Sequence, residues 1–246
     1  MALPYALADD DGRIVWMNQG LSGNHCPGKR AQEKICFTLF PEVTKTDLAV
    51  DNETAQVHTS FGEYKFRLDL QPIFVSGTEE EDIEALVSRQ KLLAVYLFDE
   101  TEILRYRQEI TDERMVAGLI YLDNYDEALE SVEEVRRSLL TALIDRKINK
   151  AIGSIEGVVK KLEKDKYFFT IKQKYMEQLE EERFSILEEV KAVNIGNEMA
   201  VTLSIGIGMG GDSYSQNYDF ARAAIDMALG RGGDQAVVKD GSRIQY

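Results

Sequence analysis

Two carboxylates in this chain are spaced to hold a divalent metal against a phosphate chain. Asp123 closes the apolar run Ala117-Gly-Leu-Ile-Tyr-Leu-Asp123, and Asp165 lies in the charged turn Glu163-Lys164-Asp165-Lys166-Tyr167. Magnesium takes one or two carboxylate oxygens and completes its shell with water and substrate phosphates, so a strand-end Asp beside a turn Asp is a candidate magnesium and nucleotide site. Asn124 joins that candidate site as the next residue along. The plainer alternative is that Asp123 caps a following helix and Asp165 serves a hairpin turn, both ordinary uses of Asp. No residue is identified as a catalytic base. His25 and His58 are the only histidines, which leaves almost no material for a Ser-His-Asp triad. Cys26 and Cys36 are too few, and wrongly spaced, for a disulfide framework or a structural zinc.

From residue 116 onward, apolar strand-like runs alternate with long charged helical runs, an α/β pattern (α+β for the chain overall). Strands are expected over 117–122, 157–162, 167–173, 199–205 and 236–238, with helices over 126–152, 174–193 and 217–229. Residues 1–98 read differently. Short strands over 3–8 and 13–18 flank the turn Asp9-Asp10-Asp11-Gly12, which predicts a hairpin, and further strands are expected over 54–60, 63–74 and 91–98. The acidic stretch Gly77-Thr78-Glu79-Glu80-Glu81-Asp82 reads as a solvated connection. Three regions follow: 1–98, a linker helix within 99–115, and 116–246.

Val201-Thr202-Leu203-Ser204-Ile205-Gly206, then Ala224-Ile225-Asp226-Met227-Ala228-Leu229 and Gly232-Gly233-Asp234, resembles the C-terminal half of GGDEF domains, the diguanylate cyclase family with a palm-like fold. The resemblance puts Glu163-Lys164-Asp165-Lys166-Tyr167 in the place of Gly-Gly-Asp-Glu-Phe, with only the central Asp kept. Glycines there let a turn approach a nucleotide closely, and two charged side chains fill that space instead. Asp123 and Asp165 match the family's metal pair. Ser131 stands where active members use an Asn to read guanine, and Ser154 to Gly157 lacks the Arg-x-x-Asp of the inhibitory site. The resemblance therefore implies no cyclase activity and no feedback by cyclic di-GMP.

Asp11-Gly12-Arg13-Ile14-Val15-Trp16-Met17-Asn18 resembles the opening of PAS domains, sensor modules built on a five-stranded antiparallel sheet. Such a core can hold a ligand, and haem b is the ligand this family resemblance suggests, with His58, His25 and Cys26 as candidate ligands. The bland alternatives are a strand-face histidine and a loop thiol before Pro27. Asp99-Glu100-Thr101-Glu102 is a helix start in which Asp99 or Thr101 accepts from the first free N–H groups. It also resembles the Asp-x-Thr-Glu element joining PAS to GGDEF domains, so that a homodimer pairing two such helices is expected, with a surface connector helix as the alternative.

The net charge of −14 disfavours nucleic acid and anionic membrane surfaces as partners. No apolar run reaches the roughly 20 residues of a membrane span, so a soluble, cytoplasmic chain is expected. The whole pattern, including Tyr121-Leu122-Asp123-Asn124-Tyr125, resembles GdpP-type cyclic di-AMP phosphodiesterases. That resemblance implies a membrane-anchored parent whose manganese-dependent DHH/DHHA1 pair lies outside this chain, which has no Asp-His-His triplet. A regulatory region is expected, with ATP binding and at most slow ATP hydrolysis in the degenerate domain. A dimerisation and relay scaffold without a nucleotide is the alternative.

Overall fold

The computed structural model describes residues 4–9, 11–19, 21, 40, 42–43, 54–75 and 90–246. The chain divides into two compact units, Met1–Arg107 and Gln108–Tyr246.

The first unit is built on a five-stranded sheet of β1 (Tyr5–Ala8), β2 (Ile14–Met17), β3 (Ala55–Phe61), β4 (Tyr64–Val75) and β5 (Gln90–Asp99), in the order β2-β1-β5-β4-β3. Every neighbouring pair is antiparallel, as the PAS resemblance implies. The β1–β2 turn closes on the Asp9 carboxylate, which accepts from the backbone N–H of Asp11 at 3.1 Å and of Arg13 at 2.7 Å. Along β4 the period-two alternation is explicit. Phe66, Leu68 and Leu70 are buried with Ala6, Ala8, Val95 and Leu97, while Arg67 and Asp69 face the other way and pair at 3.0 Å. His25, Cys26, Cys36 and the acidic stretch 77–82 lie outside the described residues.

Helix α1 (Thr101–Asp112) follows β5 directly. Its start signal is split between two jobs: Asp99 Oδ1 accepts from Thr101 N at 2.9 Å, whereas Thr101 Oγ1 accepts from Lys65 N at 2.9 Å and so ties the helix start to β4.

The second unit has a six-stranded sheet in the order β11-β10-β9-β6-β8-β7, made from β6 (Met115–Leu122), β7 (Val158–Lys161), β8 (Lys166–Lys172), β9 (Leu203–Met209), β10 (Ala236–Asp240) and β11 (Arg243–Gln245). Only β9 and β10 run parallel among these pairs. Helices α2 (Tyr125–Glu130), α3 (Glu134–Ser154), α4 (Met176–Glu181) and α5 (Ile186–Lys191) contribute to the core on one face, and α6 (Tyr214–Gly230) packs on the other. Leu140, Ile144, Ile148 and Ile152 recur every fourth residue of α3 and are buried against Ile120, Leu122, Tyr167 and Phe169. Fully burying one such side chain contributes about 1.5–3 kcal/mol, which fixes the face α3 presents to the sheet.

Three expectations are corrected. The single helix over 126–152 is two, α2 and α3, interrupted at Ser131–Glu133, where Ser131 ends α2 and Val132 turns into the core. The helix over 174–193 is a 3₁₀ turn at Gln173–Tyr175 followed by α4 and α5, separated where Arg183 and Phe184 take φ of +50° and +51°. The strand placed at 199–205 lies at Leu203–Met209 instead. Its glycines are interior, because α6 lies directly on them. A Cβ on Gly206 would sit 2.3 Å from Ile225 N, and one on Gly208 would sit 1.9 Å from Asn217 O. Strand β11 has no counterpart among the expected elements.

Candidate functional site

Strand pairing brings the two predicted carboxylates to one end of the sheet. Tyr121 opposes Lys166, and Leu122 N donates to Asp165 O at 2.9 Å, so Asp123 and Asp165 are near neighbours at the β6 and β8 ends. Both lie just outside the strands, Asp123 immediately after β6 and Asp165 immediately before β8.

Asp123 is deeply engaged by the fold. Its Oδ1 accepts from Ser204 Oγ at 2.6 Å and its Oδ2 accepts from Asp234 N at 2.9 Å, while its own N–H donates to Thr202 O at 3.0 Å. Ser204 is 0 % exposed, so its hydroxyl depends on this acceptor. The loop after α6 closes over the carboxylate by left-handed backbone: Gly233 has φ +76°, and a Cβ there would lie 2.8 Å from the Asp123 carboxylate. Asp234, at φ +54°, has one carboxylate oxygen paired with Lys191 and the other, Oδ1, buried without a partner. The hydrogen bond to Asp234 holds the Lys191 ammonium above its usual pKa.

Asn124 is likewise occupied. Its Nδ2 donates to Ala200 O at 2.8 Å and its Oδ1 accepts from Thr202 N at 3.0 Å, which pins the segment leading into β9. Ser131 turns back on its own helix, donating to Ala128 O at 2.7 Å.

The hairpin turn that replaces the glycines is bridged to α2. Lys164 Nζ lies 2.6 Å from Asp126 Oδ2 and 2.7 Å from its Oδ1, across a sequence separation of 38 residues. The hydrogen bond to Asp126 raises the Lys164 pKa above 10.5. Glu163 folds back onto Lys166 at 2.9 Å within the turn. Below the turn, the Tyr167 hydroxyl donates to Asp145 of α3, and Lys161 Nζ pairs with the same carboxylate at 2.9 Å. Burial, then that hydrogen bond, push the Tyr167 hydroxyl far above its ordinary pKa, so it is a fixed donor.

For a divalent metal the donor set is lean. Among the described residues no group of three or more His, Cys, Asp or Glu side chains converges on one point. Each Asp123 oxygen already accepts one hydrogen bond and keeps one lone pair. Two carboxylates of this kind suit magnesium that arrives on a triphosphate and brings oxygen ligands with it, and do not suit a metal held by protein alone.

In the first unit, His58 is on β3 with its side chain 71 % exposed and Nδ1 3.5 Å from Glu100, which also pairs with Arg67 at 3.0 Å. It lies on the face opposite the buried core, away from the place where a ligand enclosed by that core would sit. No described helix is long and apolar enough to cross a membrane.

Asp126 and Lys191 were missed by sequence reasoning. Their partners are 38 and 43 residues away, and no periodicity relates them. Ser204 and Asp234 stood within the quoted motif without a role, and their function is to hold Asp123.

A family described as "Cyclic-di-AMP phosphodiesterase GdpP-like, GGDEF domain" matches residues 120–245. Among curated relatives, the cyclic-di-AMP phosphodiesterase GdpP of Geobacillus thermodenitrificans is 28 % identical over 244 residues, covering 98 % of this chain and 34 % of that protein. PdeA of Listeria monocytogenes, also named a cyclic-di-AMP phosphodiesterase, is 30 % identical over 174 residues, covering 67 % of this chain and 26 % of that protein. GdpP of Bacillus subtilis is 29 % identical over 239 residues, covering 97 % and 33 %. The chain thus spans about a third or less of each of these relatives. Among solved structures, the active GGEEF domain of a Vibrio cholerae diguanylate cyclase overlays with a TM-score of 0.45 at 12 % identity, covering 55 % of this chain and 89 % of that one. The FimX GGDEF domain of Pseudomonas aeruginosa gives 0.44 at 16 % identity, covering 57 % and 93 %. With more than half its length matched by the family, and relatives along nearly all of it, the chain belongs to the GGDEF domain family of GdpP-like cyclic-di-AMP phosphodiesterases.

Proposed function

We propose that this chain is the regulatory region of a cyclic di-AMP phosphodiesterase, in which the cyclase-like unit has become a weak ATP-responsive element and hydrolysis of cyclic di-AMP is carried by another part of the protein. The observation that supports this reading most directly is the Lys164–Asp126 pair. It spans the gap between hairpin turn and α2 that an open, glycine-lined turn would leave to a nucleotide. Asp123 and Asp165 would share magnesium with the triphosphate, and the Lys164 side chain, held across the turn by Asp126, would crowd it. The expected turnover is slow, because none of the described residues near the pair is placed as an efficient base. The first unit would act as the sensor, and the parent protein would be anchored in a membrane.

Calorimetry with ATP and magnesium tests the nucleotide half. Weak, metal-dependent binding is expected, lost in Asp165→Ala and tightened in Lys164→Gly, with GTP and magnesium giving no cyclic di-GMP. Absence of any magnesium-dependent ATP binding would remove that half. The second reading, a dimerisation and relay scaffold, is favoured by α1, where Ile103, Tyr106 and Ile110 are 67 %, 51 % and 66 % exposed at a spacing that suits a helix pair. The haem expectation has its own measurement, the visible spectrum of protein incubated with haem: a Soret band that shifts in His58→Ala would support ligation by that residue.

A further inference from the structure

A second anion site, separate from the carboxylate pair, is suggested by the opposite flank of α3. Helix α3 presents different charges to its two sides. Asp145 faces the hairpin, where it holds Lys161 and Tyr167, whereas Arg146, Lys147 and Lys150 line a groove of about 380 Å3 toward α5 and the turn that follows it. Leu143 contributes to its floor. Lys147 has an acidic partner there, Glu189 at 3.2 Å, but no carboxylate pairs with Arg146 or Lys150 among the described residues.

That arrangement works against the helix. Like charges four apart, as at Arg146 and Lys150, destabilise a helix, and Lys147 lies three residues from Lys150 on the same flank. An acid at a helical neighbour position would relieve this, and none is there, in a chain with 43 acidic residues. Most other lysines in this unit have found a carboxylate: Lys161, Lys164, Lys166, Lys172 and Lys191 are all paired. Across the groove, Asn194 Oδ1 accepts from Gly196 N at 2.8 Å, which orients the amide and leaves its N–H donors without an acceptor among the described residues. Three cations and an amide thus line a groove within the usual size of small-molecule sites, with Glu189 as the carboxylate among them.

We propose that this groove binds a small phosphate-bearing anion, with Arg146 and Lys150 as its principal ligands and Asn194 as a neutral donor. Arg146 brings a planar fork of donors suited to phosphate oxygens. Small size follows from the whole-chain charge: a net −14 repels nucleic acid or an anionic membrane at long range, while a compact anion is neutralised locally by the three cations. Glu189 opposes the ligand and sets a ceiling on affinity by holding Lys147.

The test is a titration with inorganic pyrophosphate in EDTA, so that metal-dependent binding at the hairpin makes no contribution, followed by calorimetry and by nuclear magnetic resonance of the Arg146 and Asn194 side chains. Saturable binding at one site is expected, weakened at least about tenfold in R146E/K150E and tightened in E189Q, with circular dichroism of both variants unchanged. The opposite signs are the discriminating result, since a merely structural role would not strengthen binding in E189Q. Failure of the wild-type chain to bind pyrophosphate at millimolar concentration, or unchanged affinity in R146E/K150E, would overturn the proposal. So would binding of a poly-glutamate peptide without pyrophosphate binding, which would make the groove a protein-docking surface.

Discussion

Asp123 shows how one side chain can carry both a chemical expectation and a mechanical one. Its oxygens satisfy the buried Ser204 hydroxyl and the Asp234 N–H, so Asp123→Ala leaves two donors without their acceptor. A loss of about 1–3 kcal/mol is expected for a buried donor orphaned in this way, read as a shift in the urea midpoint. Asp165→Ala, which breaks no hydrogen bond involving that side chain among the described residues, should stay within about 0.5 kcal/mol of wild type. Of the two, Asp165 is therefore the cleaner probe of metal binding. Lys164 gives a pH test. Its folded pKa is raised above 10.5 by Asp126, so its contribution is fully present below that value and is lost as pH rises through the folded pKa. The difference in melting temperature between wild type and Lys164→Met should accordingly be present at pH 8 and shrink above pH 10.5. Because the pair is exposed, with Lys164 61 % accessible, that difference is expected to be small, and a difference that persisted at high pH would assign it to something other than the ion pair.

At the scale of elements, the contact between α6 and β9 is the most sensitive to small changes. Ala at Gly208 would push a methyl against the Asn217 carbonyl and is expected to cost about 1–3 kcal/mol or prevent folding, whereas Ala at Gly153, whose Cβ meets nothing within 4 Å, should be tolerated. Thermal melts of the two variants compare them directly. This contact also explains what the sequence hid. Alternating apolar residues made β6, β8 and the first-unit strands legible, because each buries one face or both and little else competes. The glycines of β9 read as a strand end, since nothing local says that the helix beginning at Tyr214 will lie flat across them. The broken helices were missed for a similar reason: 174–193 keeps its apolar spacing through Arg183 and Phe184, where the chain turns left-handed. In the candidate site, the two aspartates and their register were readable from a strand and a turn. The Lys164–Asp126 bridge was not, being a tertiary contact between charges that look solvated in sequence.

For α1, the absence of any buried residue leaves its apolar side chains in water unless a second copy covers them. Ile103→Glu with Ile110→Glu should shift sedimentation to a monomer without altering the melting of either unit, and a dimer that survives both changes would locate self-association elsewhere.

On the scale of the whole molecule, each unit has its own buried cluster, one around Phe66, Leu68 and Val95 and the other around Ile120, Ile144 and Phe169. Separate cores of this kind predict more than one unfolding transition. Leu68→Ala should lower one transition by the equivalent of about 2–5 kcal/mol and leave the other in place, as followed by scanning calorimetry. A single transition that moves as a whole would mean that the units share their stability.

The clasp around Asp123 has a consequence for how ageing enzymes are recognised. Ser204 of β9 and the backbone of Asp234 both donate to one carboxylate, so a chain of this fold that lost the acid would loosen its own architecture whether or not it made a product. A survey of sequences that counts an aspartate at this position as working machinery would then mix a structural requirement with a chemical one, and Asp165, whose side chain accepts no such bond among the described residues, would be the better witness.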